Sequence, residues 1–238
     1  MRQRGKNQLE GDNHLYSKNN MKKSDIKTGS IFEIPLEKQF GYAYVKLIFS
    51  KDIQPDFFEH IIIKPYNLLR TYPMGKEEFD SKMFETDDLL MFPLLSWGLP
   101  NIRGAKKWTL KGFSQITSED KIIPDFIDSG MEPINRESLQ NECTSYGCSL
   151  VRNFQDKRIV SKEYESLKYL GTWEHASPVG IKILLTMIWM KYQKENILDY
   201  YSETDFEENF WLSHIYNKVT LNDIDFRNIK IEGRLKQL

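Results

Sequence analysis

The chain has 238 residues, of which 40% are hydrophobic and 28% charged, a composition typical of folded globular proteins. Its net charge of −1 argues against a general nucleic-acid binder, which would carry an excess of basic residues. Two cysteines are too few for a disulfide-stapled secreted scaffold, and the basic, polar N-terminus is unlike a secretory signal. We therefore expect a cytoplasmic protein with no membrane partner and no direct nucleic-acid binding.

Residues 1–27 are polar and basic and lack apolar periodicity, so we expect a flexible N-terminal lead. Two strands follow at residues 31–36 and 40–49, and the polar residues 37–39 join them as a hairpin turn. The second strand alternates strictly, as a strand with two distinct faces should. One face carries Ala43, Val45, Leu47 and Phe49, and the other carries Tyr42, Tyr44, Lys46 and Ile48.

Further short apolar runs after the hairpin predict more strands. Residues 60–64 form a buried strand that Pro65 ends or moves to a sheet edge, because proline cannot donate to a ladder. Residues 89–95, with Pro93 inside, indicate an edge or bulged strand, and residues 107–113 alternate as a strand. Residues 122–127 are either one more short strand or a covering loop. Together these runs favour a small β-barrel or a strongly bent antiparallel sheet.

The last third is predicted to be helical. A short helix is expected at residues 161–170, and a largely buried helix begins at Ser177 and Pro178, an N-cap followed by a residue suited to the first turn. Ser202 and Asp205 form a capping box that opens the next helix, which should end near Val219.

The chain thus divides into a flexible lead at residues 1–27, a β-rich part at 28–130, and a connecting and helical part at 131–238 that shares the core. The fold class is α+β. An N-terminal antiparallel sheet is barrel-like, with an SH3-like arrangement as one alternative, and a helical region packs on it. A short strand is also expected at residues 226–231.

Candidate chemistry is sparse. Cys143 and Cys148 lack the second ligand pair that a zinc site needs, and His175 is the one histidine placed where it could serve a nucleophile. Patterns for phosphate binding, zinc proteases and serine hydrolases are absent. We therefore expect no catalytic residues, no metal, no cofactor and no enzyme, with a cysteine- or histidine-dependent enzyme as the third hypothesis.

One segment is strongly acidic. Residues 195–208 contain six acidic residues and no basic ones, which suits either a solvated helix start or a surface that faces a basic partner. Tyrosines within it would suit interface anchors. The candidate partner-binding residues are Tyr200, Tyr201, Glu203, Asp205, Glu207 and Glu208. The other candidate surface is the stripe of Phe40, Tyr42 and Tyr44, which also suits cross-strand packing.

The opening hairpin resembles that of a known family. Its Gly29-Ser30-Ile31-Phe32 entry, Ile34-Pro35-Leu36 strand end and Gly41-Tyr42-Ala43-Tyr44 strand start are similar to the immunity protein 26 family. That family usually has Asp at the position of Ser30. The resemblance implies a bacterial immunity protein that neutralises a cognate protein toxin of a polymorphic toxin system by one-to-one occlusion.

The alternative function, from another class, is a non-enzymatic SH3-like ligand-binding or regulatory module with a helical appendage. The identity of the neighbouring gene would separate the two, since a large secreted toxin beside this gene favours immunity.

Overall fold

The computed structural model describes residues 22–55, 60–104, 107–128, 148–152, 156–160, 171–172 and 175–220. Within these ranges the chain forms two β-sheets and three α-helices, an α+β fold. The lead up to residue 21, Cys143, the helix expected at 161–170 and the strand expected at 226–231 lie outside the described residues.

The larger sheet is built from five antiparallel strands in the order β4-β3-β2-β1-β5, and a short strand β10 lies parallel beside β4. It does not close into a barrel, because β5 and β10 pair on one side only among the described residues. The strands are β1 (Ser30–Pro35), β2 (Tyr42–Phe49), β3 (Ile61–Arg70), β4 (Leu94–Ser96), β5 (Thr109–Phe113) and β10 (His175–Ala176).

The predicted hairpin is confirmed, and its two strands lie at the centre of the sheet. β1 and β2 pair antiparallel from Ser30↔Leu47 to Pro35↔Tyr42. Both faces of β2 are buried, because every residue from Ala43 to Ile48 is covered. The alternation therefore separates two interior faces rather than an inner and an outer one. Tyr44 is fully buried, so the aromatic stripe of this strand serves packing.

Proline has less effect on the strands than the sequence predicts. β3 continues through Pro65 to Arg70 and is a central strand, so the expected end or edge at Pro65 is wrong. Pro65 lies at a register shift opposite Val45, and β4 pairs only with Ile61–Ile63. Pro65 has no backbone N–H, but it lies where the hydrogen-bond ladder is already irregular. Few inter-strand hydrogen bonds are therefore lost.

A second sheet was not predicted. Its order is β8-β7-β6-β9, and it occupies the region expected to be connecting. The strands are β6 (Phe126–Asp128), β7 (Cys148–Arg152), β8 (Asp156–Val160) and β9 (Gly171–Thr172). Phe126 at the start of β6 is fully buried and packs on Ile48, Ile62 and Leu95 of the first sheet. Of the two alternatives for residues 122–127, the strand is found from Phe126 onward.

The helices begin where the capping residues predict. Helix α1 (Pro178–Tyr192) is capped by Ser177, whose Oγ accepts a hydrogen bond from the Gly180 N–H at 3.0 Å. Eleven of its residues are buried, and the nine apolar ones among them share one hydrophobic cluster with β1, β2 and β3. Burial nearly all round is what the apolar run predicts.

The second predicted helix is divided in two. Helix α2 (Glu203–Glu208) ends at Asn209, whose backbone is extended at φ −130° and ψ 93°, and α3 (Phe210–Thr220) begins there. The Asn209 side chain accepts a hydrogen bond from the Leu212 N–H at 3.3 Å. An asparagine that caps the next helix explains the break.

Candidate partner-binding surface

The acidic segment folds as a helical turn (Ile197–Asp199) followed by α2. The capping box is confirmed: Ser202 Oγ accepts from the Asp205 N–H at 3.2 Å, and Asp205 Oδ2 accepts from the Ser202 N–H at 2.8 Å. The N–H and the hydroxyl of Ser202 both donate to the Asp205 carboxylate, and these two bonds hold the pKa of Asp205 below its usual range. Asp205 therefore has a structural task in addition to any contact with a partner.

Three of the predicted residues form a free acidic surface. Glu203, Glu207 and Glu208 are exposed on α2. In the part of the chain that the structure describes, their carboxylates make no hydrogen bond or ion pair. Unpaired carboxylates on one short helix leave a field that is not cancelled locally, and such a field attracts a basic surface.

The two tyrosines are held by the protein itself. Tyr201 is only 3% exposed, and its hydroxyl donates to Glu37 Oε2 at 3.4 Å. Burial raises its pKa well above the usual value. Tyr200 is half-buried, with its ring edge-on to Phe40 and its hydroxyl donating to Glu195 Oε2 at 3.1 Å. Tyr201 is thus no exposed anchor, a correction to the sequence interpretation.

The β1–β2 turn fixes this segment against the sheet. The backbone N–H of Glu37 donates to Thr186 Oγ1 at 3.0 Å, and Glu37 Oε1 lies 3.7 Å from Lys182 Nζ. Next to it, Lys38 Nζ lies 4.0 Å from Asp205 Oδ2. The hairpin that opens the fold is therefore also the support of the acidic surface.

A buried charged network escaped the sequence interpretation. Lys46 and Lys64 are directly opposed on β2 and β3, and the carboxylate of Asp120 bridges them. Its Oδ2 lies 2.5 Å from Lys46 Nζ, and its Oδ1 lies 2.8 Å from Lys64 Nζ. Like charges in direct register repel, so the bridge decides whether this pairing is tolerated. The alternation of β2 places Lys46 on the same face as the buried Tyr44 and Ile48. This was the sequence signal that could have revealed a buried charge.

The ammonium of Lys46 is fully satisfied. Besides Asp120 it donates to the carbonyls of Phe84 at 3.1 Å and Gln115 at 2.6 Å. Burial lowers the pKa of Lys46, and Asp120 opposes that shift. With no exposed surface and all three protons donated, this amine joins the sheet to two covering segments and has no path to a substrate.

A second buried carboxylate lies on the same face. Glu33 Oε2 accepts from the Tyr44 hydroxyl at 2.9 Å and from the Met74 N–H at 2.6 Å. Lys111 Nζ lies 3.7 Å from Glu33 Oε1. Burial and the bond to Glu33 raise the pKa of Tyr44. This cluster is also internally satisfied and serves to hold the 74–75 loop on the sheet.

A cleft of about 590 Å³ opens at one end of β2. Its described lining combines one acid, one base, two polar and two apolar side chains, namely Thr28, Asp52, Ile53, Gln54, Ile116 and Lys121. Thr28 donates to Asp52, so part of its polar surface is already used. Clefts of this volume suit small ligands or a peptide side chain.

The described residues weighed for catalysis lie in different sheets. His175 begins β10 of the first sheet, and Cys148 begins β7 of the second. Among the described residues, no group of three or more His, Cys, Asp and Glu side chains could hold a metal ion. In the same ranges, no helix has the length and apolar character needed to cross a bilayer.

Comparison with protein-family models, with curated proteins and with solved structures finds no match to this chain.

Proposed function

We propose that this protein is a non-catalytic inhibitor that binds a cognate protein toxin of a bacterial polymorphic toxin system in the cytoplasm. It neutralises the toxin by covering its active site one to one. The family part of this proposal rests on the hairpin residues that resemble the immunity protein 26 family, with Ser30 in place of the usual Asp.

The observation that supports the binding mode is the unpaired carboxylates of Glu203, Glu207 and Glu208. A toxin that acts on nucleic acid needs a basic surface, because the phosphate backbone dominates affinity. An inhibitor that presents exposed acids to that surface gains association rate and selectivity. The hairpin turn, whose Glu37 carboxylate accepts a hydrogen bond from the Tyr201 hydroxyl, keeps the acids in a fixed place.

Coexpression tests this function. Cells that express the toxin domain encoded beside this gene should die without this chain and grow with it. Failure of the full chain to restore growth, at a level where it is folded and abundant, contradicts the immunity function for that pair.

A second function is a ligand-binding or regulatory module with an SH3-like arrangement of the β-rich part. The cleft beside Asp52 and Lys121 favours it. Its described lining contains no aromatic side chain, so we do not expect the proline-rich ligands that dock in aromatic grooves. A module of this kind would leave toxin-expressing cells unprotected, and the coexpression experiment therefore separates the two functions.

A further inference from the structure

Tyr201 and Asp205 form a small cation-binding site next to the acidic surface, called the seat, and a lysine of the chain itself occupies it. Lys38 Nζ lies 5.0 Å from the centroid of the Tyr201 ring and 4.0 Å from Asp205 Oδ2. An aromatic face beside a carboxylate is a favourable place for an ammonium or guanidinium group. The side chains of Lys38 and Asp205 are 40% and 43% exposed, so the seat lies at the surface.

The contacts that hold Lys38 are weak. Exposed ion pairs and exposed cation–π contacts each contribute little, because water competes for both charges. The backbone of Lys38 is in the left-handed region at φ 52° and ψ 28°, and Gln39 follows at φ 59°. Non-glycine residues adopt this conformation only at a conformational cost. Nothing in these contacts would prevent Lys38 from leaving the seat.

We propose that the seat formed by Tyr201 and Asp205 receives a lysine or arginine side chain of the basic partner, in exchange for Lys38. This inference rests on the proposed function and adds the recognition chemistry. The unpaired Glu203 and Glu207 belong to the same helix as Asp205 and draw a basic segment toward the seat. Tyr201 then contributes through its ring face rather than as an exposed anchor.

Titration with a hexa-arginine peptide at low salt tests the exchange without the toxin. NMR spectra follow the Tyr201 ring and the Asp205 amide in the wild type, Lys38→Gln and Lys194→Gln. The matched control, Lys194→Gln, removes the same charge beside Glu195, and among the described residues Lys194 is exposed and makes no cation–π contact with the Tyr201 ring. From the shifts of the Tyr201 ring and the Asp205 amide, we expect Lys38→Gln to bind the peptide with a dissociation constant about tenfold lower than that of the wild type.

Lys194→Gln should stay within about twofold of the wild type, since its effect is only long-range and screened. Lys38→Arg, which refills the seat, should also resemble the wild type. Equal gains in Lys38→Gln and Lys194→Gln, or peptide shifts elsewhere, would overturn the proposal. If the peptide displaces Lys38 but the chain does not restore growth, the proposed cation site stands and the toxin-neutralising function is contradicted. If the chain restores growth but the peptide does not displace Lys38, the function stands and the site is contradicted.

Discussion

At the scale of single residues, the buried bridge of Asp120 is the strongest constraint in the sheet. It places one negative charge between two opposed lysines, so the network keeps an excess positive charge in the interior. Backbone carbonyls of Phe84 and Gln115 accept the other two protons of Lys46, and the carbonyl of Glu119 accepts a second proton of Lys64. Without Asp120, two ammonium groups would be buried with only neutral acceptors.

The first prediction concerns Asp120→Asn. It should lower the free energy of unfolding by about 3–5 kcal/mol, the usual effect of removing one partner from a buried ion pair. Urea unfolding followed by circular dichroism measures the change. The matched control is Glu77→Gln, which alters an exposed carboxylate and should stay within about 0.5 kcal/mol of the wild type. A loss of equal size in both variants would contradict the role of the bridge.

The second prediction concerns pH. Burial alone would raise the pKa of Asp120, but Lys64 and Lys46 outweigh burial and hold it below the usual range. The folded pKa is lower than the unfolded one, so the stabilisation is present above the unfolded pKa of about 3.9. It is lost as the pH falls through the folded pKa.

The wild type should therefore lose stability more steeply than Asp120→Asn below about pH 4, as urea unfolding at stepped pH would measure. Parallel slopes for the two proteins would show that Asp120 does not titrate as described.

Residue-scale sequence reasoning succeeded where the signal is local. The caps Ser177 and Ser202 depend on residues three positions away, and both were predicted. Tyr201 is buried in the main hydrophobic cluster, and its hydroxyl donates to Glu37, which is 164 positions earlier in the chain. No local pattern carries that contact, so an aromatic within an acidic run looked like an exposed anchor.

At the scale of elements, the β1–β2 turn combines strain with support. Phe40 N–H donates to Glu37 O at 3.0 Å, and both central residues, Lys38 and Gln39, have positive φ. This is the geometry of a type I′ turn, in which asparagine and glycine are preferred. Gly41, at φ 115°, leaves no room for a Cβ, which would overlap the carbonyl oxygen of Arg70.

The third prediction is that Gln39→Gly stabilises the protein by about 0.5–1 kcal/mol. Glycine adopts positive φ without the steric penalty, although it adds entropy to the unfolded chain. Thermal unfolding compares it with Gly41→Ala, which should destabilise the protein because a side chain does not fit there. Destabilisation by Gln39→Gly would mean that its side chain makes a contact worth more than the strain.

β2 was predictable because it is long and alternates, and the first half of β3 because it is a long apolar run. β2 and β3 have eight and ten residues, whereas the strands of the second sheet have two to five. A run of two or three residues carries no period. The parallel pairing of β6 with β9 also joins segments far apart in the sequence, which local patterns do not report.

At the scale of the whole molecule, the fold connects the recognisable hairpin to the acidic surface. The hairpin strands are central in an open sheet whose two faces are covered, and their turn holds α1 and the acidic segment. The α+β class followed from composition and pattern. That the sheet stays open did not follow from the sequence. The strand runs are compatible with a closed barrel or with an open sheet, and only the pairing of the strands decides between the two.

The residues of the partner surface differ in how far the fold depends on them. Asp205 caps α2, so reversing it would weaken the helix as well as change the charge. Among the described residues, Glu203, Glu207 and Glu208 make no such contacts, so they can be reversed together. Because Glu203 lies in the first turn of α2, where the helix dipole favours an acid, the reversal should cost about 1 kcal/mol or less of stability.

The fourth prediction concerns the acidic surface of Glu203, Glu207 and Glu208. The measurement is the association rate of this protein with the catalytically inactive toxin domain encoded beside its gene, over a range of salt concentrations. Glu203→Lys/Glu207→Lys/Glu208→Lys should associate about tenfold or more slowly than the wild type at low salt, with the difference shrinking as salt rises. Glu77→Lys, a charge reversal elsewhere on the surface, should differ little. An unchanged rate in the triple variant, or no association of the wild type, would contradict the account.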